Sequence, residues 1–307
     1  MVDELAKQQL PRADMPSIVT DASGKAVFPY PDSVNRLNDY EYFERLFLGN
    51  HYEAFRIRID DDQYNKAYSR LRYVMINFAG LISKIVADML FSEPVVIKAS
   101  DGDQEFIEAL WRENKMDVQC YESALSNSYL GDALFKIRTG QRREGTSDPS
   151  TVIIGDITPS IYFPEVNQFN VRAIPKYEEL AWTFKVGNDD YLRKEVHKPG
   201  LIENHVYKMR GNVIENEVDL AVLGVVGLMP IVPIGVTESL LSHVVNWKAG
   251  NRYFGLSDYY DLDSIFYAIN NRMTKTDNVL DKHGDPILMV PPGIMDEKGQ
   301  VKRKLLA

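Results

Sequence analysis

The sequence predicts an α+β fold: helices first, then an antiparallel meander, then one long helix. Three observations lead there. Between residues 38 and 130 apolar side chains recur every three or four positions, the period of a helix. From Ala133 the period changes to two, and the segments are separated by turns rich in glycine and asparagine. Over residues 258–283 the helical period returns. Strands collected after helices, rather than alternating with them, argue against a doubly wound parallel sheet.

Residues 1–37 mix Pro11, Pro16, Pro29 and Pro31 with glycine, serine and aspartate without a period, and read as a flexible N-terminal arm. From 38 to 52, Tyr40, Tyr42, Phe43, Leu46 and Phe47 take helical spacing, and Gly49-Asn50 ends the helix. Asp60-Asp61-Asp62 introduces a long helix, three carboxylates at the end where backbone amides lack partners. Along it Leu71, Met75, Phe78, Ile82, Ile85 and Met89 make a wide stripe expected to be buried, ending at Glu93-Pro94. Val95-Val96-Ile97 reads as a short strand, and residues 104–113 and 118–130 as helices separated by Asn114-Lys115.

Strands are expected at 134–137, 151–154, 162–163, 177–186, 191–197, 201–209 and 213–218. They turn at Gly140, Gly187-Asn188-Asp189, Pro199-Gly200 and Arg210-Gly211-Asn212. Residues 220–237 carry no charge, over a length near the minimum of about 17 for a membrane span. Pro230 and Pro233 remove backbone donors, and Gly224, Gly227 and Gly235 interrupt the run, so a buried pair of short strands is expected instead. Residues 258–283 then form about 40 Å of helix. Leu262, Ile265, Phe266, Ile269, Met273, Val279 and Leu280 lie on its apolar side, and Asn270, Asn271, Lys275, Asp277, Asn278 and Asp281 on the polar one. Gly284 and Pro286 stop it; a strand at Ile287-Leu288-Met289-Val290, a Pro291-Pro292-Gly293 turn and a basic end follow.

Composition narrows the chemistry. The 35 basic residues are outnumbered by 44 acidic ones, a formal net charge of -9, which excludes a conventional protein that wraps and neutralises duplex DNA. The single cysteine, Cys120, excludes an internal disulfide, fits a reducing compartment and reads as a small residue on an apolar helix face. The N-terminus has no signal-peptide pattern, so a cytoplasmic origin is expected. There is no phosphate-binding glycine loop followed by lysine, and the five histidines show no zinc-helix spacing. Asp60-Asp61-Asp62, or Asp258, Asp261 and Asp263 with His283, could ligate a metal; each also precedes a helix, where carboxylates cap amides. Ser239 and His243, four apart in an expected helix, share a face and invite a nucleophile-and-base reading, without the glycine-flanked elbow of such serines.

Three segments carry a resemblance. The first runs from Asn77-Phe78-Ala79-Gly80 through Ser83 and Asp88 to Phe91-Ser92-Glu93-Pro94. The second is Tyr129-Leu130-Gly131-Asp132-Ala133-Leu134-Phe135-Lys136-Ile137, and the third Gly255-Leu256-Ser257-Asp258-Tyr259-Tyr260-Asp261-Leu262. In this order and at these separations the chain resembles the portal proteins, or head-to-tail connectors, of tailed bacteriophages, over roughly residues 38–307.

The resemblance implies a wing at 38–257, a stem helix at 258–285 and the start of a clip at 286–307. It implies a homo-oligomeric ring of about a dozen copies, a dodecamer in the full-length protein, at the capsid vertex. Through that ring double-stranded DNA is packaged and ejected without sequence specificity. The expected partners are the terminase large subunit, head completion or adaptor proteins, and the major capsid and scaffolding proteins. The expected location is the virion, with assembly in the host cytoplasm. No membrane, enzymatic activity, cofactor or metal is expected.

Asn270, Asn271, Lys275, Asp277 and Asn278 are then candidates to face the channel, and Lys298, Lys302, Arg303 and Lys304 to contact DNA or a partner of the clip. An acidic or mixed wall suits a conduit, because a strongly basic one would hold the phosphates. Family members continue into a second stem helix and a crown, so the sequence reads as truncated or abbreviated. The rival readings are a metal-dependent nuclease or other enzyme using Asp258, Asp261 and Asp263, and a monomeric adaptor or toxin-like module.

Overall fold

The computed structural model describes residues 26–59, 73–99, 102–142, 149–167, 169–225 and 228–284. Most of the expected arm, Asp60-Asp61-Asp62, Leu71, Gly227, the strand and turn after Pro286, and Lys298, Lys302, Arg303 and Lys304 lie outside the described residues.

The described residues mix helices with antiparallel sheets. Helix α1 (Pro31–Phe47) begins seven residues before the expected start, because Pro31 sits in its first turn with its φ already set for helix. Helix α2 (His51–Ile59) follows the turn at Gly49. Helix α3 (Phe78–Phe91) is shorter than the pattern suggested: Asn77 caps it, its Oδ1 accepting from the Gly80 amide at 2.9 Å. The expected buried stripe is also corrected. Phe78 and Ile82 reach the core, whereas Met75, Ile85 and Met89 are 37%, 47% and 78% exposed, as is the neighbouring Leu81 at 49%. The buried face is Ala79, Gly80, Ser83 and Ala87, small residues that let neighbouring backbone come close; a Cβ on Gly80 would lie 2.9 Å from the Phe47 carbonyl oxygen.

Residues 94–99 form no strand, contrary to expectation: Val95 and Val96 are exposed, and the Gln104 side chain takes up Ala99 N and Ile97 O. Helices α4 (Gln104–Glu113) and α5 (Met116–Leu130) are separated, as read, by Asn114 and Lys115.

The strands form two sheets rather than one meander. Strands β1 (Asp132–Gly140) and β2 (Thr151–Ile157) join β9 (Leu241–Val245) in the order β2-β1-β9. The expected helix at Ser239 and His243 is therefore a strand at His243, because the segment fills the free edge of β1. A six-stranded sheet runs β3 (Tyr162–Pro164), β4 (Glu178–Val186), β5 (Asp189–Lys198), β6 (Leu201–Arg210) and β7 (Val213–Val218), with β8 (Ile231–Pro233) on β6 beside β7. The meander expected from alternation is its β4–β7 part, turning at Gly187, Gly200 and Gly211. Among the described residues of 220–237 the expected buried strand pair is replaced by one short strand, β8, whose own Ile231 is 58% exposed and whose preceding Met229 is 53% exposed. Among the described residues no helix is long and apolar enough to cross a membrane.

The outer edge of β2 is closed by two side-chain amides. Asn114 Oδ1 accepts from Ile154 N and its Nδ2 donates to Val152 O; Gln119 Oε1 accepts from Asp156 N and its Nε2 donates to Ile154 O. Four backbone groups that would otherwise present a bare edge are thus satisfied.

Three apolar clusters hold these parts together. Tyr42, Phe43, Leu46, Phe55, Ala79, Tyr259 and Phe266 join the helices. Phe28, Tyr30, Phe163, Ala181, Leu192 and Met209 cover one face of the large sheet. Leu134, Tyr162, Leu180, Leu241 and Phe254 bury its other face against the small sheet. Burial of each large side chain stabilises by about 1.5–3 kcal/mol. Arg36 of α1 spans the joint, donating to Pro159 O at 3.0 Å and Tyr162 O at 2.9 Å beneath the Phe254 ring.

Helix α6 (Asp263–Gly284) begins five residues later than expected, after turns that hold Tyr259 in the core. Its buried residues are Phe266, Asn270 and Thr274, and Ile265, Met273, Val279 and Leu280 are exposed, so the single broad apolar contact face is corrected. The reason is its support: α6 lies on the extended residues 73–77, whose backbone polar groups require side-chain partners. From Lys275 to the end of α6, about 15 Å of helix, no side chain is buried.

Candidate functional site at the root of the long helix

The three segments singled out in the sequence meet in one place. Ser83 of α3 hydrogen-bonds to Ser128 of α5 at 2.9 Å and to the Tyr259 hydroxyl. Tyr259 donates its proton to Ala79 O at 2.7 Å, and Ser128 donates to Asp258 Oδ2 at 2.6 Å, so the Ser83 proton is the one shared between their oxygens. Asn246 Nδ2 donates to the other oxygen of Asp258 at 2.8 Å. Burial raises the Tyr259 phenol, keeping it a neutral donor.

Two glycines allow this approach. Gly131 ends α5 at φ +91°, and a Cβ there would lie 2.5 Å from the Leu256 carbonyl carbon; a Cβ on Gly255 would lie 2.0 Å from Gly131 O. Next to them Asp132, fully buried at the start of β1, accepts from Tyr40 of α1 at 2.5 Å, His243 of β9 at 2.7 Å and the Gly255 amide at 2.8 Å. One carboxylate therefore holds a helix, two strands and the strap that leads to α6.

The helix itself is fastened by a second polar group. Leu46 O can only accept, so His51 Nε2 carries the proton and donates to it at 2.9 Å, leaving Nδ1 to accept from Asn270 Nδ2 at 2.8 Å. Burial pushes the His51 imidazole below its ordinary value, which agrees with this neutral tautomer. Asn270 Oδ1 accepts from Ile76 N at 3.0 Å, and Thr274 Oγ1 accepts from Val74 N and donates to Val74 O.

The two sheets are joined in the same polar manner. Lys136 of β1 reaches Glu195 of β5, which also meets His197 at 2.8 Å. Burial works to raise Glu195, but the bonds from His197 and Lys136 outweigh it and leave the carboxyl at about 2. Glu178 is held by Tyr162 at 2.5 Å and by Ser239. Asp156 is an exception: its Oδ1 is buried without a partner, and burial pushes its carboxyl up to about 6.

The sequence candidates fall as follows. Asn270 is fully buried between His51 and Ile76, so its assignment to a channel surface is corrected. Asn271, Asp277 and Asn278 are half-buried and Lys275 is exposed. Asp258, Asp261 and Asp263 do not converge: Asp258 is taken by Ser128 and Asn246, Asp261 is exposed, and Asp263 caps its own helix through Ser264 N at 2.7 Å. Among the described residues no group of three histidine, cysteine or carboxylate residues could hold a metal ion. Ser239 and His243 are held by different carboxylates, Glu178 and Asp132. Burial raises the half-buried Cys120 thiol, away from reactivity.

Sequence reasoning missed His51, Ser83, Ser128 and Asp132 as functional positions. The signal was present as proximity to the three segments, but their partners lie far along the chain.

Residues 31–159 match the family model described as phage portal protein, SPP1 Gp6-like. No curated protein matches the chain. The matched span, less than half the chain, holds Tyr40, His51, Ser83, Ser128 and Asp132; their partners Asn246, Asp258, Tyr259 and Asn270 lie beyond it.

Proposed function

From the match of residues 31–159 to the phage portal family we propose that the chain is one subunit of the ring through which double-stranded DNA enters and leaves the capsid. Residues 38–257 serve as the wing, 258–285 as the stem and 286–307 as the start of the clip. The observation that carries this reading is the junction. The strap, α1, α3 and α5 meet in one hydrogen-bond network, and α6 leaves it with no buried side chain after Thr274. A rigid root and a free-standing helix suit a subunit whose helix is meant to stand beside copies of itself.

Asn271, Lys275, Asp277 and Asn278 are the channel-facing candidates, now without Asn270. The work is done by geometry and charge rather than by bond-making chemistry. The net charge of -9 keeps phosphates from sticking, and the driving force comes from the terminase large subunit docked on the clip. Head completion or adaptor proteins replace it there, major capsid and scaffolding proteins surround the wing, and the ring resides at the portal vertex of the virion after assembly in the host cytoplasm. Light scattering and electron microscopy of the purified chain test this. Closed rings are expected, and a strict monomer at every concentration overturns the reading.

A further inference from the structure

A cavity beside the root of α6 gathers more positive charge than its own wall neutralises. It measures about 50 Å³ and lies between α1 and the strap, with Arg36 and Asp39 lining it from the helix and Arg252, Phe254 and Tyr260 from the strap. Arg36 is only 8% exposed. Two of its nitrogens are spent on the carbonyls of Pro159 and Tyr162, and its guanidinium lies 4.1 Å from the centre of the Phe254 ring. The third, Nε, is buried without a hydrogen-bond partner among the described residues, and so is Nη1 of Arg252.

The nearby carboxylates are engaged elsewhere. Asp39 meets Arg58 at 3.5 Å, and Asp132, behind Tyr40, already accepts from three donors. A guanidinium keeps its charge at any working pH, so a water molecule could satisfy a free N–H but would leave two positive charges against aromatic walls. An oxyanion answers both needs, and guanidinium donors suit its oxygens. The size agrees. One water needs roughly 10–15 Å³ of such a volume, so the cavity takes about four oxygen-sized atoms.

We infer that this cavity is a binding site for one phosphate group, held by Arg36 Nε from α1 and Arg252 Nη1 from the strap. An anion there ties the first helix to the segment that leads into α6. Tyr260, 39% exposed, gives the wall its solvent-facing side.

The test titrates inorganic phosphate into the whole chain at constant ionic strength, followed by calorimetry and by the melting temperature, with sodium chloride as the control. One saturable site per chain is expected, and a melting temperature that climbs and levels off with phosphate but not with chloride. Arg252→Gln leaves the carbonyl bonds of Arg36 in place and should weaken binding roughly tenfold or more. Asp39→Asn removes the like charge from the wall and should tighten it roughly threefold. The two variants shift affinity in opposite directions, so either one decides the question should the other misfold by circular dichroism. Dimethyl phosphate gives the source. Binding of inorganic phosphate alone supports a site for the free ion, and equal binding of both supports a site for a phosphodiester. Absence of saturable binding, a melting temperature that follows chloride equally, or an affinity not lowered in folded Arg252→Gln or not raised in folded Asp39→Asn overturns the site. None of these readouts depends on oligomeric state, so the ring reading stands or falls separately.

Discussion

The root of α6 and the outer rows of α3 and α6 reverse the usual arrangement of a subunit. At the root, Asp132, Asp258, His51 and Asn270 are held inside the protein by partners from other elements. On the outer rows, Met89, Leu280 and Val279 are 78%, 64% and 49% exposed. Directional bonds fix a single geometry at a joint, whereas apolar surface binds whatever fits it. The protein uses the first where its own elements must hold one orientation, and leaves the second on its outside.

The contrast breaks most severely at the glycines. Gly255→Ala or Gly131→Ala forces backbone apart at the centre of the joint, and a loss of about 3 kcal/mol or more is expected in chemical denaturation, up to failure to fold. Asp132→Ala strands the Tyr40 hydroxyl, His243 and the Gly255 amide, with an expected loss of about 3 kcal/mol by the same measurement.

Asn270→Leu sharpens the comparison, because it leaves His51 Nδ1 and Ile76 N without their partner while the sheets are untouched. About 2 kcal/mol is expected, with faster hydrogen exchange confined to α6 and residues 73–77. Asp156→Asn probes the carboxyl that keeps one oxygen unpartnered. A carboxyl raised to about 6 adds stability at low pH that is lost as pH rises through 6. The amide variant should therefore gain about 1 kcal/mol at pH 8 and lose that part of the pH dependence; a flat difference between pH 4 and 8 would reject the assignment. Leu280→Ser, on the outer row, should stay within about 0.5 kcal/mol of wild type in melting experiments.

The strands of the large sheet were legible because alternation and turn glycines are local signals, and β4 to β7 lie within two residues of their expected bounds. Strand β9 was not, because five residues suit a helix face as well as a strand until β1 is known to need an edge partner. The periodicity of α3 located the helix but only part of its stripe, Phe78 and Ile82, meets the core, since a pattern marks an apolar face without saying that the whole face meets its own chain. The site was legible only as resemblance: Tyr40 and Asp132 are 92 residues apart and His51 and Asn270 219 apart, separations over which sequence carries no local signal.

The amides of Asn114 and Gln119 along β2 bear on how such a protein diversifies. Strand pairing is indifferent to side chains, so an open edge would accept any extended segment, including those of half-made copies crowded during synthesis. With that edge occupied, copies meeting along β2 can do so only through side chains. Partner choice there can then be altered by single substitutions, leaving the backbone of each subunit unchanged.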